Sequence, residues 1–173
     1  MTQAPPASVS SVDQTVAVWA YDDATAPLVS AAKSVGGTAL MKRLALPLAR
    51  CVEPYVQDST TVTWVPPSGR GQRRRGFDQG RVLASAVGRA LHIPSAPAFV
   101  RTGKAQYGGS RSIRLQGPTL NLRPDWTARI PTDQVILVDD VITTGASMAA
   151  GTRQLRRHSP RLDVVAAALA VRA

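Results

Sequence analysis

Q-V-I-L-V-D-D-V-I-T-T-G-A-S, residues Gln134 to Ser147, is the stretch whose order of residue types decides the fold class. Val135, Ile136, Leu137 and Val138 are apolar in succession, without the alternation of a half-exposed strand. Such a run suits a strand buried on both faces of a parallel sheet. Asp139 and Asp140 fall where that strand should end. After Val141 and Ile142 come Thr143, Thr144, Gly145, Ala146 and Ser147, small and hydroxyl-rich, leading into an expected helix from about Ser147 to Arg157. A strand, an acidic pair, a small-residue loop and a helix N-terminus predict a phosphate site with acceptors for sugar hydroxyls beside it. Carboxylates accept hydrogen bonds from a diol, while backbone N–H groups and hydroxyls donate to phosphate.

Outward from this stretch the pattern repeats. Val164 to Val171 predicts a final buried strand, and Thr60 to Val65, β-branched and stopped by Pro66-Pro67, an earlier one. Val16 to Tyr21 predicts a short strand closed by Asp22-Asp23, after a flexible lead-in over residues 1–15 rich in Ala, Pro, Ser and Gln. Between these strands the composition is helical from Pro27 to about Tyr55. Leu28, Ala31, Ala32 and Val35 share one face, a Gly36-Gly37 break follows, and Leu40, Leu44, Leu48 and Cys51 recur at helical spacing. Pro47 predicts a kink or boundary there. Asp78 is placed to cap a helix reaching about Leu91, with Val82, Leu83, Ala86, Val87 and Leu91 inward. Ala98 to Arg101 is a short strand candidate, and Leu120 to Ile130 a hairpin around Pro124-Asp125. Residues 102–118 lack periodicity and read as a long mobile loop, of the kind that serves as an active-site lid. Strands alternating with helices give an α/β fold with a central parallel sheet flanked by helices. The expected organisation is one domain over 16–173, with 16–56 as a helical hood and 57–173 as the core.

The 173 residues carry 21 Lys and Arg against 11 Asp and Glu, a formal charge of +10 that points to polyanionic partners. One cysteine, Cys51, excludes an internal disulfide framework and any multi-cysteine zinc cluster. With no long apolar span and no signal segment, a cytoplasmic protein without membrane insertion is expected. His92 and His158 read as surface or helix-end residues.

Two motifs carry a resemblance. Gln134 to Ser147 resembles the phosphoribosyl pyrophosphate (PRPP) motif of type I phosphoribosyltransferases. Pro66-Pro67-Ser68 followed by Arg73-Arg74-Arg75-Gly76-Phe77-Asp78-Gln79 is similar to the second block of the ComF family, phosphoribosyltransferase-like proteins associated with competence and uptake of single-stranded DNA. Further matches are Lys33 before a Gly pair, Arg101 and Gln106 ahead of the lid, and the closing apolar strand, so the similarity runs from about Trp19 to Val171. The resemblance implies a type I phosphoribosyltransferase fold. It implies Asp139 and Asp140 on the ribose hydroxyls and Thr143, Thr144, Gly145, Ala146 and Ser147 around the 5′-phosphate. Pro67, Ser68, Arg74 and Arg75 would line the pyrophosphate, where arginine forks suit phosphate oxygens. Lys104, Gln106 and Arg111 are the lid candidates, with Tyr107 and Arg114 beside them. Mg²⁺ would arrive with PRPP, with no metal ligand assigned to the protein. Many ComF proteins begin with a cysteine-rich zinc ribbon; no cysteine stands in this lead-in, so no zinc is expected. Asp78 also replaces the family's usual Asn, placing a negative charge near the expected pyrophosphate.

The implied activity is transfer of 5-phosphoribosyl to a nitrogenous base with release of pyrophosphate. The alternative is an accessory role in DNA uptake, with single-stranded DNA or DNA-uptake proteins as partners and the fold used as a binding module or as a PRPP sensor without turnover. A homodimer, and the identity of the base, stay open.

Overall fold

The computed structural model describes residues 9, 11–68, 72–73, 76–102, 118–126 and 132–172. Its elements are β1 (Gln14–Ala20), α1 (Ala26–Ala32), α2 (Thr38–Val52) with a short 3₁₀ turn at Glu53–Tyr55, β2 (Thr60–Trp64), α3 (Gln79–Ala90), β3 (Phe99–Arg101), β4 (Leu120–Leu122), β5 (Gln134–Ile142), α4 (Ala146–His158) and β6 (Asp163–Val171). The four long strands form one sheet in the order β1-β6-β5-β2, every pairing parallel. The expected α/β class with a central parallel sheet holds.

The apolar run of β5 is buried because each face has its own cover. Ile136 and Val138 enter a core with Met41, Leu44 and Leu48 of α2 and Leu83 and Val87 of α3. Val135 and Leu137 enter a second core with Met148 and Leu155 of α4, Phe99, Leu120 and Trp126. β6 alternates in the same way, Val165 and Ala167 to the first core and Val164, Ala166 and Ala168 to the second. Fully burying side chains of the Leu or Ile class contributes ~1.5–3 kcal/mol each, so the three-layer arrangement is held chiefly by these two strands.

One buried polar chain fixes the register where the strands begin. Thr60, Gln134 and Asp163 are lateral neighbours on β2, β5 and β6. The Thr60 hydroxyl donates to Gln134 Oε1 at 2.6 Å, and Gln134 Nε2 donates to Asp163 Oδ2 at 2.6 Å. Sliding any of these strands by one residue would orphan a buried amide, at ~1–3 kcal/mol for the group left unpaired.

Several expectations change. Leu120–Leu122, expected as one arm of a hairpin around Pro124-Asp125, pairs antiparallel with Phe99–Arg101 as a small second sheet; the other expected arm lies largely outside the described residues. On α1 the inward residues are Val29 and Ala32, while Ala31 is exposed and Val35, beyond the helix, is 82% exposed. The helix stops before a glycine turn: Gly36 has φ +82, and a Cβ on Gly37 would stand 2.4 Å from the Ala32 carbonyl oxygen. Pro47 lies inside α2 without ending it. Ahead of β1, Val9 is buried in the second core, and Asp13 pairs with Arg156 and accepts the Val164 N–H.

Candidate functional site

β5 ends at the carboxyl edge of the sheet, where open α/β folds bind their ligands. Residues alternate across a strand, and Asp139 and Asp140 accordingly take different surroundings. Asp139 lines a recess of about 30 Å³ whose other walls are Val141 to Met148. Asp140 is 5% exposed, and its Oδ1 lies 3.0 Å from Nζ of Lys33, just past the end of α1. The Asp140 N–H donates to Asp139 Oδ1 at 2.8 Å, which fixes the first carboxyl from its own backbone.

The loop that follows gathers Thr143, Thr144, Gly145, Ala146 and Ser147 around the recess. Gly145 sits at the N-cap of α4 with φ +70, a left-handed conformation that an L side chain adopts only with strain. No side chain caps α4 through the Gly145 position, although the Thr144 hydroxyl accepts weakly from Ala146 N–H at 3.4 Å. The helix therefore begins with backbone donors and the positive end of its dipole at the recess, suited to a phosphate. Val9 packs against the far side of the loop, its methyl carbons 3.1 Å from where a Gly145 Cβ would stand.

Asp139 is the perturbed acid of the site. Burial first, then the neighbouring Asp140 charge, push its carboxyl up to about 8; the Asp140 N–H, Lys33 and Arg101 pull the other way. Between 4 and 8 it keeps a proton that a free aspartate has lost. A ligand bringing cationic or hydroxyl donors to Asp139 favours the ionised form, so binding there is coupled to proton release.

Arg101 links the acidic strand end to the proline loop. Its Nη1 donates to the Pro66 carbonyl at 3.3 Å, and its charge reaches Asp139. Pro67 and Ser68 are half-buried beside it in sequence. Arg74, Arg75, Lys104, Gln106 and Arg111, with Tyr107 and Arg114, lie outside the described residues. Asp78 caps α3 as expected, Oδ1 accepting from Arg81 N–H at 3.0 Å; its Oδ2 also accepts from the Trp64 indole N–H at 3.1 Å. Aspartate rather than asparagine is thereby explained, since an amide nitrogen could not accept the indole proton.

Lys33 and Arg101 are the two residues whose roles sequence reasoning missed, although both are matched positions in the ComF resemblance. Neither belongs to a local motif, and their partners stand far along the chain. Two larger hollows, of about 350 and 360 Å³, lie where the strands begin, lined by Thr132, Pro160 and Arg161 and by Tyr55, Gln57 and Asp163. They are at the opposite edge from the recess and its acids.

No protein-family model matches the chain. Competence protein F of Haemophilus influenzae is 32% identical over 91 residues, 50% of this chain and 39% of that protein. Adenine phosphoribosyltransferase of Desulforamulus reducens is 35% identical over 83 residues, 48% of this chain and 46% of that one. The matched stretch thus spans under half the length of either relative. Among solved structures, orotate phosphoribosyltransferase from Aeropyrum pernix superposes with a TM-score of 0.41 at 20% identity, over 79% of this chain and 72% of that one. An adenine phosphoribosyltransferase gives a TM-score of 0.41 at 20% identity, over 76% and 65%. The two sequence matches agree with the resemblance carried by the motifs: about half of the chain is similar to Competence protein F, and about half to an adenine phosphoribosyltransferase.

Proposed function

We propose that this protein binds PRPP at the carboxyl edge of β5 and transfers its 5-phosphoribosyl group to a nitrogenous base. The observation that carries this is the recess where Asp139 and the N-terminus of α4 meet, an acceptor for hydroxyls beside donors for phosphate. Asp139 and Asp140 hold the ribose, and Thr143 to Ser147 hold the 5′-phosphate. Pro67, Ser68, Arg74 and Arg75 line the pyrophosphate, and Lys104, Gln106 and Arg111 close over it. In the transfer a base nitrogen forms a bond to C1′ as the C1′–O bond breaks. The electron pair leaves with pyrophosphate, and the base N–H proton is released. No covalent nucleophile is needed; orientation and cationic stabilisation of the leaving group supply the rate. No cluster of three or more metal-ligating side chains is found among the described residues. In this reading Mg²⁺ would arrive with PRPP and would supply compensation for the charge that develops on the leaving pyrophosphate.

The test is calorimetry with PRPP and Mg²⁺ on wild type and on Asp139→Asn/Asp140→Asn. Binding by wild type, lost in the folded double variant, is expected; wild type that takes up no PRPP sinks the reading. Pyrophosphate release with a panel of bases then separates turnover from binding alone.

A second reading is favoured by one surface. Lys42, Arg43 and Arg50 on α2 and Arg81 and Arg89 on α3 are exposed, and neither helix contains an acidic residue. The two helices cover the same face of the sheet. Together with the likeness to Competence protein F, this supports a single-stranded DNA partner held through its phosphates. A steep fall in affinity with salt, flattened when these five residues are neutralised, is the expected result. Among the described residues no helix is long and apolar enough to cross a membrane.

A further inference from the structure

Asp140 is nearly fully buried, with one oxygen on Lys33 and the other without a hydrogen-bond partner among the described residues. A buried carboxylate left without a counter-charge is costly, so this single pair matters more than an exposed one would. Lys33 belongs neither to the sheet nor to the phosphate loop. It follows α1 directly, and the Gly36-Gly37 turn, with no room for a side chain at Gly37, holds it there. Its own side chain is 31% exposed, so the ammonium keeps donors toward solvent.

We propose that Lys33 is a positioning residue for the ribose site: it pins Asp140 as the salt-bridged half of the acidic pair and so sets the field in which Asp139 meets the ligand. The ligand side of this rests on the phosphoribosyl reading; the electrostatic side stands on the geometry alone. The charges acting on Asp139 are Asp140 on its own strand, Lys33 beyond α1 and Arg101 at the end of β3. Asp140 favours the protonated form of Asp139, and the two cations favour the ionised form. Removing Lys33 therefore leaves Asp140 uncompensated and moves Asp139 further toward its protonated form, in which it accepts ligand hydroxyls less well.

Carboxyl-¹³C NMR titration of wild type, Lys33→Met, Lys33→Gln and Lys33→Arg tests this, with Asp139→Asn assigning the resonance. The Asp139 midpoint should rise by roughly 0.5–1 pH unit in the two uncharged variants and stay near wild type in Lys33→Arg, because the pair, not the side-chain bulk, is what acts. Lys33→Gln keeps a donor to Asp140 and serves if Lys33→Met does not fold. An unchanged midpoint in the folded uncharged variants, or an equal shift in Lys33→Arg, overturns the proposal. Calorimetry with Mg²⁺ and PRPP across pH 6–9 reads the ligand side: the pH at which affinity develops should move upward in the uncharged variants only. Absence of PRPP binding in wild type would remove the phosphoribosyl reading and leave the NMR titration to decide the role of Lys33.

Discussion

Replacing Asp139 by Asn should stabilise the protein, and by more as pH rises. The exchange is nearly isosteric, and the Asn carbonyl can still accept the Asp140 N–H that Asp139 accepts at 2.8 Å. What it removes is the cost of an anion in a half-buried recess. The carboxyl is pushed from 3.8 up to about 8, burial being the largest cause and Asp140 the next. At ~1.4 kcal/mol per pKa unit the full difference corresponds to roughly 5–6 kcal/mol. Solvent reaches the recess, and screening and relaxation cut this severalfold, leaving about 2 kcal/mol. Between pH 4 and 8 the unfolded chain binds fewer protons at this position than the folded one. Wild-type stability therefore falls through that window and levels off above it. The variant lacks that slope. Urea unfolding followed by circular dichroism at pH 5.0, 6.5 and 8.5 should show a gain that is small at the lowest pH and grows to about 2 kcal/mol at the highest. A gain that is the same at all three values, or a variant less stable at pH 8.5, would refute the reasoning. Such a residue, costly to the fold and facing a recess, is what a binding role would require.

Other perturbations follow from single contacts. Gln134→Ala should cost about 1–3 kcal/mol in denaturant unfolding, because Thr60 and Asp163 both lose their bond to the Gln134 amide and keep those to Gln57. Gly145→Ala meets a left-handed backbone and the Val9 methyls; about 1–2 kcal/mol of destabilisation and a larger loss of PRPP affinity are expected in parallel melts and calorimetry. Asp78→Asn keeps the cap of α3 but leaves the Trp64 indole N–H without its acceptor, so stability should drop by about 1 kcal/mol and the fluorescence of Trp64 should change.

What could be read from the chain divides by range. β5, its acidic end and α4 were legible because their causes are adjacent: four apolar residues, two carboxylates, then small hydroxylated residues. The cap at Asp78 was legible for the same reason, but its bond to Trp64 was not, since nothing local pairs an indole with that carboxylate. The β3–β4 pairing was missed because the eighteen residues between Arg101 and Leu120 carry no register signal, and the turn-rich stretch at Pro124-Asp125 offered a nearer partner. Val35 is apolar yet exposed because the Gly36-Gly37 turn ends α1 before that position can face the core. The division of Asp139 and Asp140 between two surroundings was implicit in strand alternation. Which partner each would find depended on Lys33 and Arg101, set by how α1 and β3 pack rather than by any neighbouring residue.

The strand order also constrains how the molecule is assembled in time. β1 is made first, yet its sheet neighbour is β6, the last strand, as Gln14 pairing with Val165 and Ala20 with Val171 shows. β5 can dock on β2 as soon as it exists, but it has no second neighbour until β6 arrives. Parallel pairings of such long range form slowly, and half-built sheets expose unpaired edges to other chains. During synthesis the strand bearing Asp139 therefore hangs from β2 alone. Only when Val171 has joined the sheet does that strand lie between neighbours on both sides.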